Sequence, residues 1–209
     1  MKINCWDKKY EKIVMEKRLF KMETRMDEVE NGLKVVGHAS VYNRLSENLG
    51  GFKEIIAPGA FDDVLGDDVR ALINHDSNLI LARTTSGTLE LSTDETGLKY
   101  EFTIPETSYG KDLAVSMERG DISQSSFAFT VDDDTWETVN GEDVRTITKV
   151  KRLYDVSPVT YPAYPDANDL VIAQRSLSIY KEKQEREQEE NDLVMRSKLA
   201  LQIELKKRK

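Results

Sequence analysis

The chain has 209 residues, 39% of them hydrophobic, enough for one domain of ordinary size with a sizeable core and an appendage. Its formal net charge of −8 argues against a general nucleic-acid binder, because phosphate neutralisation needs a clustered basic surface and only Lys206-Lys207-Arg208-Lys209 is locally basic. A lone Cys5 and two histidines exclude an intramolecular disulfide and a Cys/His zinc site, and no apolar run reaches the roughly 18 residues of a membrane span. No metal and no membrane association is expected, and a reduced, intracellular setting fits best. The N-terminus, broken by Lys2, Asp7, Lys8 and Lys9, lacks a signal-peptide core.

Residues 1–20 are charged with irregular apolar spacing and read as a leader of uncertain order. Alternation begins at Lys21, and Glu30-Asn31-Gly32 carries the Asn-Gly signal of a tight hairpin. The second hairpin strand, Leu33–Val41, places His38 on its more polar face. Loop chemistry fills 43–52, a short strand covers Lys53–Ile56, Pro58-Gly59 turns the chain, and Ala60–Leu65 has helical spacing. Val69, Ala71, Ile73 and His75 alternate along the next strand, so an imidazole ends an apolar row. Strands at Leu79–Arg83 and Thr88–Leu91 follow, and Leu98, Tyr100, Phe102 and Ile104 mark the clearest strand of the chain. Gly110–Arg119 reads as a helix with Gly120 as its C-cap.

Next comes a serine-rich strand, Asp121-Ile122-Ser123-Gln124-Ser125-Ser126-Phe127-Ala128-Phe129. Ser125, Phe127 and Phe129 point one way, and Gln124, Ser126 and Ala128 the other. The Ser126 hydroxyl is therefore expected on a surface of small and polar residues, where a substrate can approach. Asp132-Asp133-Asp134 lacks the glycine and terminal glutamate of a calcium loop and reads as a solvated hairpin tip. Asn140-Gly141 marks a further hairpin between strands near Trp136–Val139 and Val144–Val150. Leu153–Pro165 starts as a strand and ends as a proline-stiffened extension, with Asp155 among apolar neighbours and in need of a partner. Beyond Arg175 the composition turns charged and helix-compatible. Three regions result: leader 1–20, domain 21–175 and helical tail 176–209.

A serine hydroxyl becomes nucleophilic when a base within hydrogen-bond reach takes its proton and a third group fixes and stabilises that base. Ser126, His75 and Asp155 suit these roles. Ser125 and Ser123 are alternative nucleophiles, and Asp76 and Glu101 alternative orienting carboxylates.

Five motifs occur in order: Gly37–Asn43 (GHASVYN), Ile56–Phe61 (IAPGAF), Ala71–Asp76 (ALINHD), Ser125–Phe129 (SSFAF) and Asp155–Ala163 (DVSPVTYPA). Together they resemble the prohead serine protease family of tailed bacteriophages over residues 20–175. The resemblance implies a mostly β, α+β fold. It would be a compact β-barrel with flanking helices like the herpesvirus capsid-maturation protease, followed by a C-terminal helical tail. It also implies a serine endopeptidase of the immature capsid in the host cytoplasm. Such an enzyme cleaves scaffold protein or the N-terminal segment of the major capsid protein, cleaves itself and can form a homodimer, without a cofactor. The family histidine falls on His75, its serine on Ser126 and its acidic residue before Val-Ser on Asp155. Two features depart from the pattern: the doubled serine, Ser125 standing where many members carry Met, Leu or Val, and the absence of a second histidine after the serine. The alternative is a catalytically silent capsid-assembly or scaffold module whose barrel and C-terminal helix bind coat protein.

Overall fold

The computed structural model describes residues 15–20, 24–29, 32–160 and 167–207. In chain order the strands are β1 (Glu16–Phe20), β2 (Arg25–Val29), β3 (Gly32–Val41), β4 (Phe52–Ile56), β5 (Arg70–Ile73), β6 (Asp76–Arg83), β7 (Leu89–Thr93), β8 (Gly97–Thr103), β9 (Gln124–Val139) and β10 (Glu142–Val159). The helices are α1 (Ser108–Glu118) and α2 (Ala167–Lys207). The fold is mostly β, with a curled half-barrel sheet and two helices, in agreement with the fold class expected.

One sheet runs β1-β9-β10-β5-β6, with β4 beside the first half of β10, and the other runs β2-β3-β8-β7. The long β9–β10 hairpin is the spine. It turns at Asn140-Gly141, both at positive φ, as the Asn-Gly signal predicts. β10 is long enough to serve two parallel neighbours, β4 along Asp143–Ile147 and β5 at Asp155 and Val156. Asp132–Asp134 lies within β9 rather than at a hairpin tip, because the turn is set at Asn140-Gly141 and the chain stays paired through the triple aspartate with register shifts. The turn residues 30 and 31 and the extension 161–166 lie outside the described residues, as do residues 1–14 of the expected leader.

Both sheets close on one apolar core in which Phe61 meets Phe127 edge-on at 5.5 Å, Phe127 stacks on Phe129 at 4.7 Å, and Tyr100 stacks on Phe102 at 6.1 Å. Burying each such ring stabilises the fold by about 2–3 kcal/mol. Close approach of the second sheet's strands requires Gly97, where a Cβ would stand 1.9 Å from the Ser40 carbonyl oxygen. α1 starts two residues before the expected Gly110. Thr107 is its N-cap, its hydroxyl accepting from the Gly110 amide at 3.1 Å. Ala60–Leu65 forms only a short 3-10 turn at Asp62–Val64.

α2 is anchored by a small satellite cluster. Leu177 packs with Leu49 and Phe52, and Tyr180 stacks on Trp136 at 4.9 Å. Further along, Leu193, Val194 and Met195 are exposed.

Candidate active site

His75 does not end a strand. Ile73 pairs directly with Asp76, so Asn74 and His75 form a two-residue hairpin turn between β5 and β6, with φ of 52° and 59°. Positive φ at both central positions is the type I′ pattern, which favours Asn followed by Gly. A histidine there carries backbone strain of about 1–3 kcal/mol, and such strain persists where the surroundings over-determine the geometry. Asn74 does part of that work. Its amide donates to the Pro158 carbonyl at 3.1 Å, and its Oδ1 accepts from the Thr160 amide at 2.9 Å and hydroxyl at 3.2 Å. The turn is thereby pinned to the end of β10.

Ser126 and Ser157 are paired across β9 and β10, and Asp155 is two residues from Ser157 on the same strand. A register shift between Leu153 and Asp155 sets this alignment. The His75 ring bridges side chains of the two strands. Its Nε2 is 2.7 Å from Ser126 Oγ and its Nδ1 is 2.6 Å from Asp155 Oδ1. The Ser157 hydroxyl donates to the same Asp155 oxygen at 2.8 Å. An Nδ1–H donated to the carboxylate leaves the Nε2 lone pair facing the serine, the tautomer a general base requires. The side chains of His75 and Asp155 are 12% and 10% exposed, so their interaction is only weakly screened by solvent.

Ser126 itself is fully buried, not facing an open surface as expected. The reason is β1, which pairs with β9 so that Leu19 stands opposite Ser126, and the Arg18 carbonyl accepts from the Ser126 hydroxyl at 2.8 Å. Among the described residues, Gln124 Oε1 and Thr130 Oγ1 are buried polar atoms without a hydrogen-bond partner. Both lie on the strand that carries Ser126.

The other candidates stand elsewhere. Ser125 points away from His75 into the space between the sheets, where its hydroxyl lies 2.7 Å from Tyr100 Oη and 2.8 Å from Thr24 Oγ1. Burial pushes the Tyr100 phenol up from its ordinary value, against the opposing bonds from Ser125 and Thr24. Asp76 accepts from the Asn78 amide at 2.9 Å, Glu101 is paired with Lys34 and Lys99 in the second sheet, and His38 meets Asp94 at 2.8 Å. Burial opposes the Asp94 charge, yet its bonds to His38 and to the Gly97 and Thr96 amides hold the carboxyl below the usual range. None of these groups is hydrogen-bonded to His75. Among the described residues, no group of three or more His, Cys, Asp or Glu side chains could hold a metal ion.

These positions separate the two adjacent serines by a measurable outcome. Ser125→Ala strips a buried partner from the Tyr100 hydroxyl and should lower stability by about 1–3 kcal/mol in a denaturant titration, while preserving nucleophilic activity at Ser126. Loss of activity in a folded Ser125→Ala protein would contradict the placement.

A second buried constellation lies along the same sheet. The Arg18 guanidinium donates to both oxygens of Glu54, at 2.6 and 3.0 Å, and contacts Glu16. Arg145 donates to Glu16 at 3.0 and 3.2 Å, to Glu54 at 3.2 Å and to Asp134 at 2.6 Å. Burial disfavours the charged form of Glu16, but Arg18 and Arg145 outweigh it and hold its carboxyl below the ordinary value. Arg18 is raised: burial opposes its charge, and Glu54 and Glu16 prevail. Sequence reasoning missed this cluster, Ser157 and Asn74. Ser157 had a usable signal, since it shares a strand face with Asp155.

The family model described as caudovirus prohead serine protease matches residues 20–183. No curated protein matches the chain. Among solved structures, the bacteriophage T4 capsid assembly protease gp21 matches with a TM-score of 0.49 and 12% identity, over 71% of this chain and 98% of that one.

Proposed function

Because this chain belongs to the caudovirus prohead serine protease family, we propose that it is the endopeptidase of prohead maturation, with Ser126 as nucleophile, His75 as general base and Asp155 as the orienting carboxylate. The observation that carries the assignment is the continuous Ser126–His75–Asp155 hydrogen-bond relay, at 2.7 and 2.6 Å.

His75 Nε2 takes the hydroxyl proton as Ser126 Oγ attacks the scissile carbonyl carbon, and Asp155 stabilises the imidazolium so formed. The tetrahedral intermediate collapses, and the leaving amine departs with the proton from His75. Water, deprotonated by His75, then attacks the acyl-enzyme, and its collapse returns the proton to Ser126 and releases the acid. Ser157 is a positioning residue in this scheme: its bond to Asp155 Oδ1 limits rotation of the carboxylate.

The enzyme would act inside the immature capsid in the host cytoplasm, on scaffold protein or the N-terminal segment of the major capsid protein and on its own chain. Homodimerisation belongs to the same reading. Residues 21–175 would form the protease domain and 176–209 a helical tail. Co-expression with the cognate coat and scaffold proteins tests the function. Cleavage products on a gel should be present with the native chain and absent with Ser126→Ala, and unchanged processing in that variant would refute the assignment.

A further inference from the structure

The Ser126 hydroxyl has one proton and two neighbours able to accept it, His75 Nε2 at 2.7 Å and the Arg18 carbonyl at 2.8 Å. A proton donated to the carbonyl is not donated to the imidazole, so β1 competes with His75 for it. β1 pairs with β9 alone, antiparallel from Glu16 opposite Phe129 to Phe20 opposite Ser125. An extended peptide adds to a sheet edge in this way, with main-chain bonds giving affinity and pockets for alternate side chains giving specificity.

The side-chain pockets are present. Glu16 and Arg18 are both buried, on the face of the sheet that carries Phe127 and Phe129, with the Arg18 guanidinium 5.7 Å from the Phe129 ring centroid. Glu54 receives Arg18 through two bonds and Arg145 receives Glu16 through two. Buried ion pairs stabilise a fold poorly compared with apolar packing, and their best-attested use is to specify register and partner. The receiving half also stands without β1. Arg145 keeps its bonds to Glu54 and Asp134, so removal of the strand strands no charge.

We infer that β1 occupies the place of the substrate strand, and that Glu54 and Arg145 are a specificity-determining pair. They would read an extended peptide bearing a carboxylate and, two residues on, a guanidinium. This rests on Ser126 being the nucleophile, and the test separates the two claims.

Full-length protein is reacted with a fluorophosphonate, and the rate of single adduct formation is read by intact mass. Arg18→Ala should be labelled roughly tenfold faster than the native chain, because weakened docking raises the population of the open edge. A capped synthetic peptide with the sequence of residues 15–20 should slow that labelling again, and the same peptide carrying Glu in place of its Arg should not. Labelling of folded Arg18→Ala at or below the native rate would overturn the inference, making β1 a permanent strand. If Arg18→Ala does not fold, the near-isosteric Glu16→Gln supplies the comparison: faster labelling supports the inference and an unchanged rate overturns it. Labelling that persists in Ser126→Ala overturns the nucleophile assignment instead. Labelling confined to Ser126 yet indifferent to the β1 variants overturns only the role of β1.

Discussion

Ser126→Ala should yield a folded protein whose kcat toward a coat- or scaffold-derived peptide is lower by about five to six orders of magnitude, the loss typical of removing a serine nucleophile. The substitution removes one small hydroxyl from the middle of β9. What it breaks are two side-chain contacts, to His75 Nε2 and the Arg18 carbonyl, so the stability change should stay near ~1 kcal/mol. The stacked core rings of Phe127 and Phe129 are untouched, because both lie on the face of β9 away from the hydroxyl. A chemical-step loss with an unfolding midpoint moved by only that small amount distinguishes this from a merely structural serine. A drop of less than tenfold in kcat would place the nucleophile elsewhere.

Asp155→Asn is expected to lower kcat by about 10⁴-fold, with little change in KM. The carboxamide matches the carboxylate in size, so the packing of β10 against β5 and β9 is preserved, and the Ser157 hydroxyl can turn from donating at the Oδ1 position to accepting from the NH₂ there. Two things are lost. The neutral group no longer stabilises the imidazolium that forms as Ser126 attacks, and its NH₂ can donate to Nδ1, which favours the tautomer with its proton on Nε2. That proton then opposes deprotonation of the serine. Steady-state kinetics on purified protein, with circular dichroism to establish the fold, checks the prediction. Retention of more than a tenth of native kcat would assign the orienting role to another group.

The elements legible in the sequence were those fixed by local chemistry. Alternation at Leu98, Tyr100 and Phe102 located β8, and Asn140-Gly141 located the turn of the central hairpin, because both signals lie within a few residues of the structure they specify. His75, Ser126 and Asp155 were candidates by their chemistry and by short ordered motifs, and the fold brings the three side chains within hydrogen-bond reach. What could not be read was non-local. β1 reaches across more than a hundred residues of sequence to pair with β9, and no local pattern in a charged segment reports such a pairing. The same holds for the Glu54–Arg145 cluster, assembled from β1, β4, β9 and β10. The turn at His75 was hidden for a different reason: Asn followed by His does not carry the Asn-Gly signature, so an apolar row ending in His was read as continuous strand. The register shift that aligns Asp155 with Ser126 inserts an irregularity that strict period-two counting passes over.

The identity of one modified atom tests the role of Ser126 most directly. Native protein treated with a fluorophosphonate and digested for mass spectrometric mapping should carry a single adduct on Ser126, with labelling abolished in both Ser126→Ala and His75→Ala. An adduct mapped to Ser125 or Ser123, or labelling that is indifferent to His75, would contradict it.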